Sequence, residues 1–187
     1  NMMPLAFRLV PEENKRSVID FIKSRGMACS VYGSQYLLEG LYREGESDYA
    51  MSLLTATHDR GWWNMIKTGS TIAMEAWDMK YKPNSDWNHA WGAAPANIIP
   101  AYMWGISPEE PGFSKTKIRP QLSNLSYSKV EIPTIRGQII AEYRNNVNSY
   151  EYTIILPANM TGEMLIPEKE PIRLKPGINK SKFEDVH

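Results

Sequence analysis

Ser107-Pro108-Glu109-Glu110-Pro111-Gly112 is the stretch on which the fold turns. Two prolines flanking an acidic pair, followed by glycine, favour neither helix nor central strand, so the segment reads as a joint between domains. On its N-terminal side apolar residues recur at helical spacing. On its C-terminal side the period falls to two.

Before the joint, Pro11, Glu12 and Glu13 form a helix start, since proline and acidic residues suit the first turn. Val18, Ile19 and Ile22 follow at helical spacing, and Gly26 after Lys23 and Arg25 is a stop. A second helix is expected over Ser34 to Arg43, with Leu37, Leu38 and Leu41 on one face. Ser47 is the expected cap of a third, on which Ala50, Leu53, Leu54 and Thr57 line up. Short glycine-containing links predict antiparallel helical hairpins. Residues 58–88 read as a long, irregular, Trp-rich connection, and connections of that length tend to be functional. One more helix is expected over Ala90 to Trp104, started late or bent by Pro95 and Pro100.

Beyond the joint, Ile139, Ala141 and Tyr143 alternate with Ile140, Glu142 and Arg144, and Tyr152, Ile154 and Leu156 alternate after the turn-like Asn145 to Ser149. Val130 with Ile132, Met164 with Ile166, and Ile172 with Leu174 supply three shorter strands. The expected fold class is therefore α+β, in two domains: helices over 1–107, a small antiparallel β-sandwich over 108–178, and a polar, frayed tail over 179–187.

Composition narrows the function. The 21 acidic and 21 basic residues balance and no basic stripe is present, so nucleic acid is not an expected partner. No apolar run approaches the roughly 20 residues that span a bilayer, so no membrane partner is expected either. The single cysteine, Cys29, offers neither an internal disulfide nor a cysteine metal site, and reads as a small buried apolar residue. No zinc motif, dinucleotide fingerprint or nucleophile elbow is present, so no cofactor and no metal are expected. The chain begins at Asn1 and enters an apolar phrase directly, and it is expected to be an excerpt of something longer. The lack of a leader therefore says nothing about compartment.

The chemistry concentrates in Thr71-Ile72-Ala73-Met74-Glu75-Ala76-Trp77-Asp78 and Asn88-His89-Ala90-Trp91-Gly92. A lone carboxylate among indoles suits carbohydrate work. Indole faces stack on the C–H faces of a sugar, and a carboxylate of restricted access can be tuned as acid or base. On charge patterning alone Glu75 is an ordinary solvated or paired glutamate. Asp78, three residues on, reads as a turn former. Trp77 is the preferred stacking platform, with a core position as its alternative. Trp62 and Trp63 read as wall residues of which one reaches the pocket, Trp91 as core, and Tyr32 and Tyr36 as rim or core tyrosines. His58 and His187 read as surface residues.

The ordered phrases Leu9-Val10-Pro11, Trp63-Asn64-Met65-Ile66, Gly69 and Thr71, Glu75, Trp77-Asp78, Asn88-His89, Gly92, Gly105-Ile106, Pro108 and Pro111-Gly112-Phe113 resemble bacterial α-L-rhamnosidases of glycoside hydrolase family 78. The resemblance runs along essentially the whole chain. It implies the last helices of an (α/α)6 six-hairpin barrel followed by a C-terminal β-sandwich. It also implies removal of terminal α-L-rhamnose with inversion, Glu75 as general base, and a general acid on a segment upstream of this chain.

By family position Asn88 and His89 join Trp77, Trp63 and Tyr32 as candidate substrate contacts, with a helix-start histidine capped by Asn88 as the alternative for that pair. The chain departs from the family pattern at Met74, where tryptophan is usual, at Ala76, often arginine, and at Ser30 to Gly33, where a Thr-Gly-Phe phrase is usual. Rhamnosides and the remainder of a parent chain are the implied partners, and an uncovered barrel face predicts self-association of the excerpt. Two other functions fit the same residues: a non-catalytic carbohydrate-binding or scaffold piece, and an (α/α)6 hydrolase for a glucuronide or another 6-deoxy sugar.

Overall fold

The computed structural model describes residues 1–184, and the chain divides into two compact units, Asn1–Ile99 and Pro100 onward. The first is helical. It contains α1 (Met2–Ala6), α2 (Glu12–Arg25), α3 (Ser34–Arg43), α4 (Ser47–Leu54), α5 (Trp62–Lys67) and α6 (Ala94–Ile98). The hydrophobic stripe of α3 makes it the central helix: Leu37, Leu38, Leu41 and Tyr42 are buried, and α1, α4 and α6 pack around it. Gly40 permits the close approach of α1, because a Cβ there would meet the Ala6 nitrogen at 3.2 Å and the Leu5 side chain at 3.3 Å.

The helix starts and stops follow capping chemistry with three differences. Pro11 precedes α2 and Gly26 ends it, as its flanks predict. Ser47 is the first residue of α4 rather than its cap, and the helix ends at Leu54, where the Thr55 hydroxyl donates to the Met51 carbonyl. Thr57 therefore lies outside the helix. The connection over 58–88 is interrupted by α5, whose six residues are too few for periodicity to reveal. The single helix expected over 90–104 is three pieces: a 3₁₀ turn at Ala90–Gly92, α6, and a π-helical turn at Ile99–Met103. Pro95 sits in the first turn of α6, where its missing N–H costs nothing. Pro100 lies in the π turn, where α-helical bonding cannot continue unbroken. No helix among the described residues is long and apolar enough to cross a membrane.

The second unit is a pair of four-stranded sheets. One has the order β1 (Ser107–Pro108), β2 (Lys115–Ile118), β6 (Thr161–Met164), β7 (Ile172–Leu174); the other has β3 (Tyr127–Thr134), β4 (Gly137–Asn146), β5 (Ser149–Leu156), β8 (Gly177–Glu184). All pairs are antiparallel except β2 with β6. The period-two residues Ile139, Ala141 and Tyr143 of β4 and Tyr152, Ile154 and Leu156 of β5 are buried, together with Ile118, Met164 and Leu174 of the other sheet. Their burial is the sandwich core.

Two sequence expectations change here. Ser107 and Pro108 are not free joint but pair with Lys117 and Thr116. Residues 179–184 are not a frayed tail: β8 pairs with β5 from Gly177↔Leu156 to Glu184↔Ser149. The strand is an edge, and its side chains are mainly polar, so it carries no apolar alternation. Asn179 ties it down, its amide donating to the Ile154 and Lys175 carbonyls and its oxygen accepting the Lys175 N–H. Phe183 stacks on Tyr150, with ring centroids 5.2 Å apart. His187 lies outside the described residues.

Candidate active site

Main-chain bonds bring the two motif segments together. The Glu75 N–H donates to the Asp86 carbonyl at 2.9 Å and the His89 N–H donates to the Ala73 carbonyl at 2.8 Å. Residues 73–75 therefore run alongside 86–89. Gly92 closes the arrangement because it has no side chain: a Cβ would meet the Met74 carbonyl oxygen at 2.6 Å and the Ala73 Cβ at 2.8 Å. The indole N–H of Trp62 donates to the Gly92 carbonyl at 2.7 Å. Trp77 is 3 % exposed, donates its indole N–H to the Cys29 carbonyl at 2.8 Å, and meets Trp62 edge-on at 5.0 Å. These bonds root the segment in the helical core on either side of Glu75.

Glu75 keeps only 14 % of its side chain exposed. Oε1 is ion-paired with Lys82, and Oε2 accepts the Asp86 N–H at 3.2 Å. The Lys82 bond, with the Asp86 amide second, holds the carboxyl below the ordinary glutamate range, and the positive field of His89 adds to it. The group is thus a carboxylate at neutral pH, able to accept a proton and not to give one. It lines an open cavity of ≈ 670 Å³ together with Tyr32, Arg60, Trp77, Tyr81, Lys82 and Trp91. A volume of that order accommodates a small sugar.

The structure sorts the expected residues. Glu75, Trp77 and Tyr32 line the cavity. Trp77 does so as a buried wall, its N–H already used, so the exposed aromatic surface comes from elsewhere. Trp91, expected in the core, is 43 % exposed and forms that surface with Tyr32, their ring centroids 5.5 Å apart. It is exposed because it sits in a short 3₁₀ turn, not on the buried face of a long helix. His89 does not line the cavity. It stacks on Trp91, and its field reaches Glu75. Asn88 is exposed, outside the cavity, and is not a helix cap: His89 precedes the turn, without a side-chain bond. Trp63 is half-exposed and outside the cavity, and Trp62 lies behind the Trp77 wall.

Asp78 builds a turn, accepting from the Asn64 amide and the Lys80 N–H. His58 is exposed, its Nδ1 accepting the Arg60 N–H. The residues that sequence reasoning missed are Arg60, Tyr81 and Lys82. Arg60 lies over the Tyr81 ring at 4.4 Å, and the Tyr81 hydroxyl donates to Asp59 at 2.7 Å. Their only signal was membership of the long connection. Among the described residues no cluster of three or more histidine, cysteine, aspartate or glutamate side chains could hold a metal.

Residues 1–103 match the family model described as the bacterial alpha-L-rhamnosidase 6 hairpin glycosidase domain, and residues 105–180 that of the bacterial alpha-L-rhamnosidase C-terminal domain. The chain belongs to the bacterial α-L-rhamnosidase family. An alpha-L-rhamnosidase of Alteromonas sp. (strain LOR) is 24% identical over 209 residues, covering 98% of this chain and 23% of that relative. Among solved structures, the alpha-L-rhamnosidase from Dictyoglumus thermophilum superposes with a TM-score of 0.86 at 20% identity, over 99% of this chain and 25% of that one. The Streptomyces avermitilis alpha-L-rhamnosidase complexed with L-rhamnose does so at 0.84 and 19%, over 97% and 21%. These likenesses establish the rhamnosidase fold. The chain spans about a quarter or less of the length of these relatives, so the helices of its first unit correspond to a part of a six-hairpin domain.

Proposed function

We propose that this chain is the C-terminal portion of an inverting α-L-rhamnosidase, with Glu75 as the general base. The supporting observation is an ionised carboxylate, held by two donors, at the wall of a sugar-sized cavity with exposed aromatic surface beside it. Glu75 takes a proton from a water as that water attacks the anomeric carbon of terminal rhamnose. The C–O bond to the leaving group breaks on the opposite face, and an acid on the upstream portion of the parent protonates the departing oxygen. That acid stands about 6.5–9.5 Å from Glu75, leaving room for the water. Trp91 and Tyr32 supply the face against which the sugar lies, and Trp77 supports Glu75 from behind.

The rest of the parent chain has a second place to sit. An apolar hollow of ≈ 320 Å³ is lined by Trp62, Met65, Ile66, Ile72 and Pro95, with Ile66 and Ile72 at least half exposed. Covering such a surface is favourable, and in isolation it drives self-association. Concentration-dependent sedimentation of the 187-residue piece, suppressed by adding the upstream portion, is the expected behaviour.

Azide rescue tests the base assignment. In the full-length parent, Glu75→Ala abolishes turnover of an aryl rhamnoside, and azide restores cleavage because it needs no deprotonation. The expected product is the glycosyl azide of inverted configuration. A product of retained configuration, or wild-type hydrolysis without azide, would refute the assignment.

A further inference from the structure

Lys82 has surroundings that a simple surface lysine lacks. Its chain neighbours are tethered on both sides. Before it, the Tyr81 N–H donates to the Asp78 carbonyl at 3.1 Å and the Tyr81 hydroxyl donates to Asp59 at 2.7 Å. Asp78 is itself held by the Asn64 amide at 2.9 Å, and Asp59 by Lys80. After it, the Ser85 N–H donates to the Lys82 carbonyl at 2.9 Å, and the buried Ser85 hydroxyl accepts the Ala76 N–H at 3.2 Å. The loop from Asp78 to Asp86 thus begins and ends against the segment that carries Glu75. It delivers two donors to that one carboxylate: the Lys82 ammonium to Oε1 and the Asp86 amide to Oε2.

We propose that Lys82 is a positioning residue for the proposed base, fixing the orientation of the Glu75 carboxylate toward the cavity. The inference rests on the reading of Glu75 as base. Two donors on different oxygens stop the carboxylate from rotating, and each oxygen keeps a lone pair for the attacking water. The other charged and titratable groups around Glu75 are Asp86 and His89 on the adjoining segment, and Arg60, Tyr32, Tyr81 and Cys29 around the cavity. Among the described residues Lys82 is the only side chain that bonds the carboxylate, the Asp86 contact being made by its backbone amide. It is also the foremost cause of the lowered Glu75 pKa, so its loss moves that pKa upward. The pair itself adds little to stability, because the Lys82 side chain is 41 % exposed.

The test compares Lys82→Met, Lys82→Arg and Glu75→Gln in the full-length parent on an aryl rhamnoside, with thermal unfolding of each. Lys82→Met is expected to lower kcat roughly 10- to 100-fold with little change in KM. The acid limb of its kcat/KM profile moves to higher pH, and its unfolding temperature stays at that of the wild type. Lys82→Arg keeps the charge and restores most of kcat and the original limb. Wild-type kcat and limb in Lys82→Met, with Glu75→Gln inactive, would overturn the positioning role and leave the base standing. A kcat loss that follows a lowered unfolding temperature with no movement of the limb would overturn it too, as a structural effect. Near-normal turnover in Glu75→Gln would overturn the base assignment beneath both.

Discussion

The indole of Trp91 lies face to face with the imidazole of His89, ring centroids 3.8 Å apart and planes 13° from parallel. The Tyr32 ring also contacts the indole, with centroids 5.5 Å apart. Trp91 is thus flanked by two rings at the cavity wall. In the proposed complex a sugar contacts Trp91, which lines the cavity, and not His89, which does not.

Trp91→Ala in the full-length protein is therefore expected to raise KM for an aryl rhamnoside by roughly 2- to 10-fold, the equivalent of one aromatic contact of about 0.5–1.5 kcal/mol. Trp91→Phe keeps most of the affinity. Steady-state kinetics measure both, and an unchanged KM in Trp91→Ala would remove the indole from the binding surface.

Trp77 acts on stability. Trp77→Ala empties a buried site and is expected to cost about 3–5 kcal/mol in urea unfolding. Trp77→Phe keeps a ring in the site but strips the Cys29 carbonyl of its donor, for a further loss on the order of 1 kcal/mol beyond the smaller ring's packing. A Trp77→Ala variant of wild-type stability would show that the indole is not part of the core.

Much of the fold is legible in the sequence, and the exceptions share a cause. α2 and α3 are long enough to show an apolar stripe, and β4 and β5 alternate cleanly. α1 and α5 are five and six residues long, less than two turns, and β8 is a polar edge. None of these has a period to read. In the site, the motif singled out Glu75, and the structure places it in the cavity lining. Trp77 and Trp91 exchanged expected environments because an irregular segment has no face, so nothing in the order of residues shows which indole points inward. Arg60, Tyr81 and Lys82 converge through turns closed by Asp59, Asp78 and Ser85, an arrangement that exists only in three dimensions.

Cys29, read from the sequence as a buried residue, is half-buried and lines the cavity, yet it is expected to be unreactive. Burial pushes its thiol up to about 11, so the thiolate is scarce at pH 8. Alkylation by iodoacetamide at that pH is predicted to be much slower than for a free cysteine, and to accelerate on unfolding in urea. Rapid labelling of the folded protein would contradict this.

Asp59 gives an acid-range signature. The Lys80 ion pair and the Tyr81 hydroxyl hold its carboxyl down to about 2, against an ordinary value of 3.8. A folded pKa below the unfolded one means stability that is fully present above the ordinary value and lost as pH falls from about 4 to about 2. Asp59→Asn removes that contribution, so its unfolding temperature is expected to fall less steeply than that of the wild type across this window. Parallel curves would show that the Asp59 contacts do not persist in solution.

The most direct measurement is turnover of an aryl rhamnoside by the full-length protein carrying Glu75→Gln, a substitution that keeps the shape of the side chain and removes its basicity. With Glu75 as the base, kcat is expected to fall by roughly 10²- to 10⁴-fold while the unfolding temperature stays near that of the wild type. Turnover within a few-fold of the wild type would contradict it.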